Sequence, residues 1–205
     1  MKIIIVRHGE TNWNKHGKLQ GIRDIPVSKI GLHQAKLLAN RLDSIKIDAI
    51  YTSKLKRSMK TAQEIQRFHK HAKIAKLKEL NEMSWGIWEG MRMEDVRRKY
   101  HDLYEKRKED RFSYKIPKGE SPLILKRRLH KIVDRLEKQH KNQNILIVGH
   151  GGINRVLMGI LLKWSNEKVL LVKLHNASIT IINVKNEIAR MILFNSKHHL
   201  ENGNL

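Results

Sequence analysis

Apolar positions in this chain follow two rhythms. In some stretches they run together, and in others they recur every three or four residues. Lys2 to Arg7, with Ile-Ile-Ile-Val at its centre, predicts a strand buried on both faces, and Asn144 to Val148, with Ile-Leu-Ile-Val, predicts a second. Asp48 to Thr52 reads as a shorter strand and Ala72 to Leu77 as a weaker one. Helical patterns lie between them. Ser28 to Leu42 has Ser28 as its N-cap and sets Leu32, Ala35, Leu38, Ala39 and Leu42 on one face. Leu55 to Phe68 repeats that spacing with Leu55, Met59, Ala62, Ile65 and Phe68. Met93 to about Asp110 predicts one charged helix. Ser121 to His140 predicts a helix with Leu125, Leu129, Ile132, Val133 and Leu136 inward, and Gly151 to Leu162 another. Ser178 to Val184 and Ile188 to Phe194 read as two final strands joined by a turn at Lys185-Asn186. The last residues read as frayed.

Alternation of apolar strands with helices predicts an α/β three-layer sandwich, a mostly parallel sheet with helices on both faces. No internal repeat, low-complexity tract or Pro/Gly/Ser linker divides the chain, so residues 1–205 read as a single domain. Arg92 to Lys118 differs in texture, being dense in Lys, Arg, Glu and Asp and poor in aliphatics. It reads either as a solvated helix face or as a small helical cap, inserted at approximately residues 85–120, that brings cations over a site.

Charge changes this picture. Lys plus Arg number 42 against 20 Asp plus Glu, a formal net charge of +22. Such a balance concentrates anionic partners. Nucleic acid is the first suspicion, but aromatics are few and no stretch interleaves them with basic residues as a base-stacking platform would. A basic, non-catalytic nucleic-acid-binding protein is therefore the distant alternative, and nucleic acid is not the expected partner. A small phosphorylated substrate would use the same electrostatics. The chain has no cysteine, which excludes disulfides, thiolate nucleophiles and zinc–cysteine sites. No apolar run is long enough to span a bilayer, and Arg7 and His8 interrupt the first one too early for a secretory signal. The expectation is a soluble cytoplasmic protein with no membrane partner.

Three places carry similar chemistry. Arg7-His8-Gly9 ends the first strand, Ser53-Lys54-Leu55-Lys56-Arg57 follows the second, and Gly149-His150-Gly151-Gly152 ends the strand at Asn144 to Val148. Parallel strands of one sheet would bring all three to its C-terminal edge, where open α/β sheets bind ligands. Arginines and a helix N-terminus suit phosphate, and histidine serves as nucleophile or proton donor near neutral pH.

These residues belong to a longer pattern. The chain resembles the histidine phosphatase superfamily, the group that includes phosphoglycerate mutases. The resemblance rests on Val6-Arg7-His8-Gly9-Glu10-Thr11-Asn12-Trp13-Asn14, Leu19-Gln20-Gly21, Asp24 to Gly31, Ile50-Tyr51-Thr52-Ser53, Arg57 with Thr61-Ala62, Glu82 with Trp88-Glu89-Gly90, Gly119-Glu120-Ser121 and His150-Gly151, in family order. It implies that His8 attacks phosphorus as a neutral imidazole, its second nitrogen held by a backbone carbonyl. Arg7 and Arg57 would hold the phosphoryl oxygens, and a protonated His150 would complete the pocket. Asn14 would add a neutral donor, Gln20 and Gly21 would line the rim, and Gly151 would stand beside them. Glu82 would protonate the leaving oxygen and then activate water, with Trp85 and Trp88 as apolar surroundings; Glu79 and Glu89 are near enough in sequence to compete for the role. Glu10 would shape the loop, and Asn176 and Ser178 would line the pocket wall. The chemistry needs no metal and no cofactor.

The stretch Met83-Ser84-Trp85-Gly86-Ile87-Trp88-Glu89-Gly90 resembles the phosphatase branch, which implies hydrolysis of small phosphomonoesters. The alternative is a cofactor-dependent phosphoglycerate mutase. Cations between Trp85 and Lys118 suggest a substrate with more anionic charge than one phosphate. A homodimer is left open.

Overall fold

The computed structural model describes residues 1–201. The frayed end read from the sequence falls mainly on the residues beyond them. Six strands form one sheet in the order β3-β2-β4-β1-β5-β6. They are β1 (Lys2–Arg7), β2 (Ala49–Thr52), β3 (Ile74–Lys76), β4 (Asn144–Gly149), β5 (Ile179–Lys185) and β6 (Ile188–Ser196). The pairings β3–β2, β2–β4 and β4–β1 are parallel, whereas β1–β5 and β5–β6 are antiparallel. Ile3 to Val6 and Ile145 to Val148 are buried on both faces, as the two densest apolar runs require.

Helices cover both faces. On one side α6 (Pro122–Gln139), α7 (Gly151–Leu161) and α8 (Asn166–Leu171) contribute Leu125, Leu129, Ile153, Leu157 and Val169 to a core with Ile3, Ile5, Ile145 and Ile147. On the other, α2 (Lys29–Leu42) and α3 (Lys56–Gln66) pack Leu38, Leu42, Ala62 and Ile65 on Ile4, Val6, Leu146 and Val148. The three layers are those the alternation predicts. Ser28 caps α2 by accepting from the Gly31 N–H, and Ser121 caps α6 from the Ile124 N–H. Asn186 and Glu187 turn the β5–β6 hairpin with φ of 50° and 62°, the positive pair that matches strand twist.

Several boundaries differ from the sequence reading. The charged stretch from Met93 is two helices, α4 (Met93–Lys99) and α5 (His101–Glu109), because Tyr100 sits at φ −129°, ψ 47°. Three cations, Arg97, Arg98 and Lys99, occupy the last turn of α4, where the helix dipole favours them. Phe68 lies beyond the end of α3 and is exposed rather than inward. Two short helices, α1 (Asn12–Lys15) and α8, carry too few turns for a periodic signal, although Thr11 and Ser165 cap them. A last turn, α9 (His198–Glu201), packs on α2.

Residues 86–119 make an excursion with a small core of its own, built on Trp88, Val96 and Ile116. Its two ends meet: the Ile87 N–H donates to Pro117 O at 3.2 Å and the Glu120 N–H to Ser84 O at 2.9 Å. It rests on the loop after α1, where the Leu19 N–H donates to Met91 O at 2.9 Å and the Gly90 N–H to Leu19 O at 2.7 Å. Among the described residues no helix is long and apolar enough to cross a membrane.

One backbone contact sets the entry to the site. The loop after β1 lies against the first turn of α2, so that a Cβ on Gly9 would stand 2.2 Å from Gly31 O and a Cβ on Gly31 would stand 1.9 Å from Glu10 O. Neither gap admits a methyl group. We expect Gly31→Ala to cost about 1–3 kcal/mol and to lower the Tm by several degrees; an unchanged Tm in calorimetry would show the contact to be slack.

Candidate active site

The parallel register brings three strand ends to one level. Val6 and Thr52 both pair with Val148, and Arg7 pairs with Gly149. His8 follows at once. Its N–H donates to Gly149 O at 3.0 Å, and its carbonyl accepts from Ala177 N–H and from Asn176 Nδ2. Gly9 N–H donates to Thr61 Oγ1 at 3.1 Å, and that hydroxyl donates to Arg57 O at 2.9 Å, so the loop is tied to α3.

The His8 ring is buried. Its Nδ1 lies 2.7 Å from Gly9 O, which cannot donate, so Nδ1 carries the proton and Nε2 keeps its lone pair. Burial pushes the imidazole well below its ordinary pKa, and the Arg57 and Arg7 charges push it further. The ring is neutral at neutral pH, the protonation state the resemblance implies for it.

Arg57 is fully buried. Its guanidinium donates from Nη1 to Arg23 O at 2.6 Å, from Nη2 to Gly21 O at 2.7 Å and from Nε to His150 Nδ1 at 3.2 Å. Burial lowers its pKa to about 10, against the fields of Glu82 and Asp24. It therefore stays charged at neutral pH. His150 differs from expectation. Its Nδ1 accepts from Arg57, so Nε2 is the protonated nitrogen and donates to Ser53 Oγ at 2.9 Å. Burial, then Arg57, His8 and Arg7, hold it well below the ordinary histidine range, and without an anion it is neutral rather than protonated. The His8 and His150 rings meet edge to face with centroids 5.1 Å apart.

Glu82 is the carboxylate that faces this corner. Its Oε1 accepts from the Met83 N–H at 2.8 Å and the Ile153 N–H at 3.2 Å, and its Oε2 from the Gly152 N–H at 3.0 Å. It thus sits on the N-terminal turn of α7, where the helix dipole favours an anion. Donors surround it where indoles were expected: Trp88 is buried in the core of the 86–119 excursion, while Trp85 reaches the pocket. The competing acids lie elsewhere. Glu89 accepts from Ile22 N–H, Trp85 N–H and Ser84 Oγ and pairs with Arg23, and Glu79 is exposed. Arg128 fixes the Glu82 loop from behind, donating to Asn81 O at 2.8 Å and pairing with Glu120 at 3.0 Å.

A pocket of about 490 Å³ opens between these groups. Its lining includes Arg7, His8, Arg57, Glu82, Asn14, Gln20, Gly21 and Gly151, but not His150, which stands behind Arg57. Asn14 is held by its Oδ1, which accepts from Thr11 N–H at 3.1 Å and Asn176 Nδ2 at 3.2 Å, so its amide donor is left for a ligand. Gln20 is buried deeper than a rim position, and its Oε1 makes no hydrogen bond. Asn176 and Ser178 support the wall from behind: Asn176 bonds His8 and Asn14, and Ser178 O accepts from Arg7 N–H. Glu10 shapes its loop as expected, its carbonyl taking the Ser28 N–H. The sequence reading missed four lining residues, Lys18, Arg155, Lys173 and His175. Arg155 was findable, because it stands four residues after Gly151 and so shares its helix face. Among the described residues no group of three or more His, Asp or Glu is placed to hold a metal ion.

Residues 3–197 match the family model of the histidine phosphatase superfamily, branch 1. The chain belongs to the histidine phosphatase superfamily. Among its curated relatives is phosphoserine phosphatase 1 of Hydrogenobacter thermophilus, 32% identical over 200 residues that span 98% of this chain and 94% of that one. Another is a metal-independent phosphoserine phosphatase of Arabidopsis thaliana, 29% identical over 91% of this chain and 77% of that one. The alpha-ribazole phosphatase of Shigella flexneri has the same fold, with a TM-score of 0.87 and 28% identity over 96% of each chain. This histidine phosphatase is therefore an α/β phosphatase in fold and family, and its relatives and neighbours hydrolyse phosphate esters by name.

Two neutral buried imidazoles make the empty site of this histidine phosphatase sensitive to acid. His8 and His150 both have lowered pKa values in the folded protein. Below the ordinary value of about 6.5 the unfolded chain binds protons that the folded one refuses, so stability rises with pH through that window and is lost as pH falls. We expect the unfolding free energy in phosphate-free buffer to fall between about pH 7 and 5 by up to about 2.7 kcal/mol per pH unit, and His8→Ala to flatten that slope. A pH-independent Tm over this range would contradict the assignment.

Proposed function

We propose that phosphomonoester hydrolysis by this chain runs through a phosphohistidine on His8. The observation that carries the proposal is the His8 ring, neutral, with Nδ1 tied to Gly9 O and flanked by two buried guanidinium groups at a pocket. In the first step Nε2 attacks phosphorus while the bond to the leaving oxygen breaks. Glu82 gives that oxygen a proton, and the alcohol departs. In the second step water attacks the phosphorus, Glu82 takes a proton from it, and the phosphorus–nitrogen bond breaks to release phosphate and neutral His8. Arg7, Arg57 and the Asn14 amide balance the charge on the transferring oxygens, where preorganised donors matter most. A bound phosphoryl group opposes the fields of Arg7 and Arg57 at His150 and so favours a proton on that ring. Gly21 and Gly151 shape the opening, and Gln20 lies deeper in its wall.

No step calls for a metal or cofactor. We place the reaction in the cytoplasm, whose reducing conditions suit a chain with no cysteine. The mutase reading requires water to be excluded from the phosphohistidine; 3-phosphoglycerate isomerised faster than it is hydrolysed would favour it. The nucleic-acid reading predicts tight, salt-dependent binding without phosphatase turnover.

His8→Ala should abolish turnover and the alkali-stable, acid-labile phosphate label on the protein. Label retained at His8→Ala would place the nucleophile elsewhere. Glu82→Gln should slow an alkyl phosphate by about 100-fold and p-nitrophenyl phosphate far less, since its leaving group needs no proton. Equal slowing of both substrates would remove Glu82 from the acid role.

A further inference from the structure

The Arg57 guanidinium is planar, so the acceptors that hold some of its N–H groups set the direction of the rest. Three of its five donors are taken, by Arg23 O, Gly21 O and His150 Nδ1, and one on each Nη is left for an anion. Two of the three acceptors belong to one tight turn. It runs from Gln20 to Arg23, is closed by the Arg23 N–H on Gln20 O at 3.1 Å, and holds Gly21 at φ 53°. Ile22 has no positive φ, as suits a β-branched residue, and this is the pattern of a type II′ turn with glycine first. Rotating the central peptide by half a turn gives type I′ and points the Gly21 carbonyl away from Arg57.

That central peptide touches two charges. Its carbonyl, on Gly21, accepts from Arg57 Nη2 at 2.7 Å, and its N–H, on Ile22, donates to Glu89 Oε1 at 3.0 Å. A trans amide directs these two groups oppositely, so Arg57 and Glu89 stand at opposite edges of one peptide unit. A cation at the carbonyl and an anion at the N–H polarise the amide in the same sense, and each bond strengthens the other.

Glu89 is held firmly in this place. Its side chain is only 5% exposed, and its Oε2 pairs with Arg23 Nε at 3.3 Å. Oε1 also accepts from the Trp85 N–H and from Ser84 Oγ, both at 3.1 Å. A Cβ on Gly21 would stand 2.0 Å from Oε1, so turn and carboxylate meet with no space between them. The Glu89 charge is also among the fields that oppose the lowering of the Arg57 pKa by burial. Glu89 does not line the pocket of His8, so any effect on a ligand there passes through another residue. Ser84 and Trp85 would suffice to tie the neck of the 86–119 excursion. The bond to Ile22 reaches past the neck to the turn that carries the acceptors of Arg57.

We propose that Glu89 is a positioning residue: through the Gly21–Ile22 peptide it fixes the carbonyl that aims the Arg57 guanidinium at the phosphoryl group. This rests on the phosphatase reading above, through the role given there to Arg57. The excursion then contributes to phosphoryl binding from outside the pocket.

Inorganic phosphate, titrated by calorimetry at neutral pH, reads the guanidinium without turnover, and its Kd does not depend on how much of a preparation is folded. We expect Glu89→Ala to weaken phosphate binding by about tenfold. Arg57→Ala should weaken it at least as much, and adding Glu89→Ala to that variant should cost less than about twofold more. Equal weakening by Glu89→Ala with and without Arg57 overturns the proposal, because a residue that only supports the excursion gives that result. Two conservative variants separate reach from charge, and they carry the test if Glu89→Ala does not fold. Glu89→Gln keeps an oxygen at the Ile22 N–H and loses the charge, whereas Glu89→Asp keeps the charge and loses the reach. The first should bind phosphate within about threefold of the unsubstituted chain and the second about tenfold more weakly than it. The reverse order overturns the proposal in favour of charge acting at a distance. Turnover gives a third reading. Glu89→Ala should lower kcat/KM for p-nitrophenyl phosphate and for glycerol 3-phosphate by one common factor. A larger loss on glycerol 3-phosphate would make Glu89 a proton donor to the leaving group and overturn the positioning role. Absence of turnover by the unsubstituted chain, with phosphate affinities in the expected order, strikes the phosphatase reading and supports the link from Glu89 to Arg57.

Discussion

A guanidinium group with no exposure to solvent and no carboxylate beside it is the constraint around which this site is built. Arg57 stays charged in the interior because three neutral acceptors, Gly21 O, Arg23 O and His150 Nδ1, take its donors. Two of these acceptors lie in the loop after α1 and the third caps α7, so one side chain at the start of α3 holds three segments in a single arrangement. A buried cation left this way is stabilised only in part. What remains is a positive field at the pocket. Burial, with that field added, keeps His8 and His150 neutral.

Glu82 solves the opposite problem. A carboxylate near a cationic pocket is drawn to the nearest arginine, where it would compete with substrate. Backbone N–H groups at the start of α7 hold it instead, and Arg128 with Glu120 braces the loop that carries it. The guanidinium groups of Arg7 and Arg57 are thereby kept for the ligand. Separation of charges by backbone hydrogen bonding is what allows a carboxylate, an imidazole and two guanidinium groups to share one small pocket.

Local signals made most of the fold legible. The apolar runs at β1 and β4 and the capped helices α2 and α6 were readable because each needs only its own residues. So was the meeting of Arg7, His8, Arg57 and His150, since strand ends and helix starts place them; Glu82, in a loop, came only with the resemblance. The protonation state of His150 was not, because it depends on which nitrogen meets Arg57 across the fold. The environment of Glu82 was hidden for the same reason: its partners lie about seventy residues away in α7. Tyr100 broke a helix whose charge pattern gave no warning. Lys173 and His175 were invisible because the loop after α8 carries no periodic signal and meets Arg155 only in the fold.

The neck of the 86–119 excursion has an evolutionary meaning. Its two ends touch through backbone atoms, with Ile87 N–H on Pro117 O and Glu120 N–H on Ser84 O, and its core closes on itself around Trp88. A piece whose ends meet, and which leans on the loop after α1 rather than on any strand pairing, can change in length without moving a strand of the sheet. The strand ends that carry Arg7, His8 and His150 lie outside it, so about one-sixth of the chain can vary while the sheet edge beneath keeps its geometry.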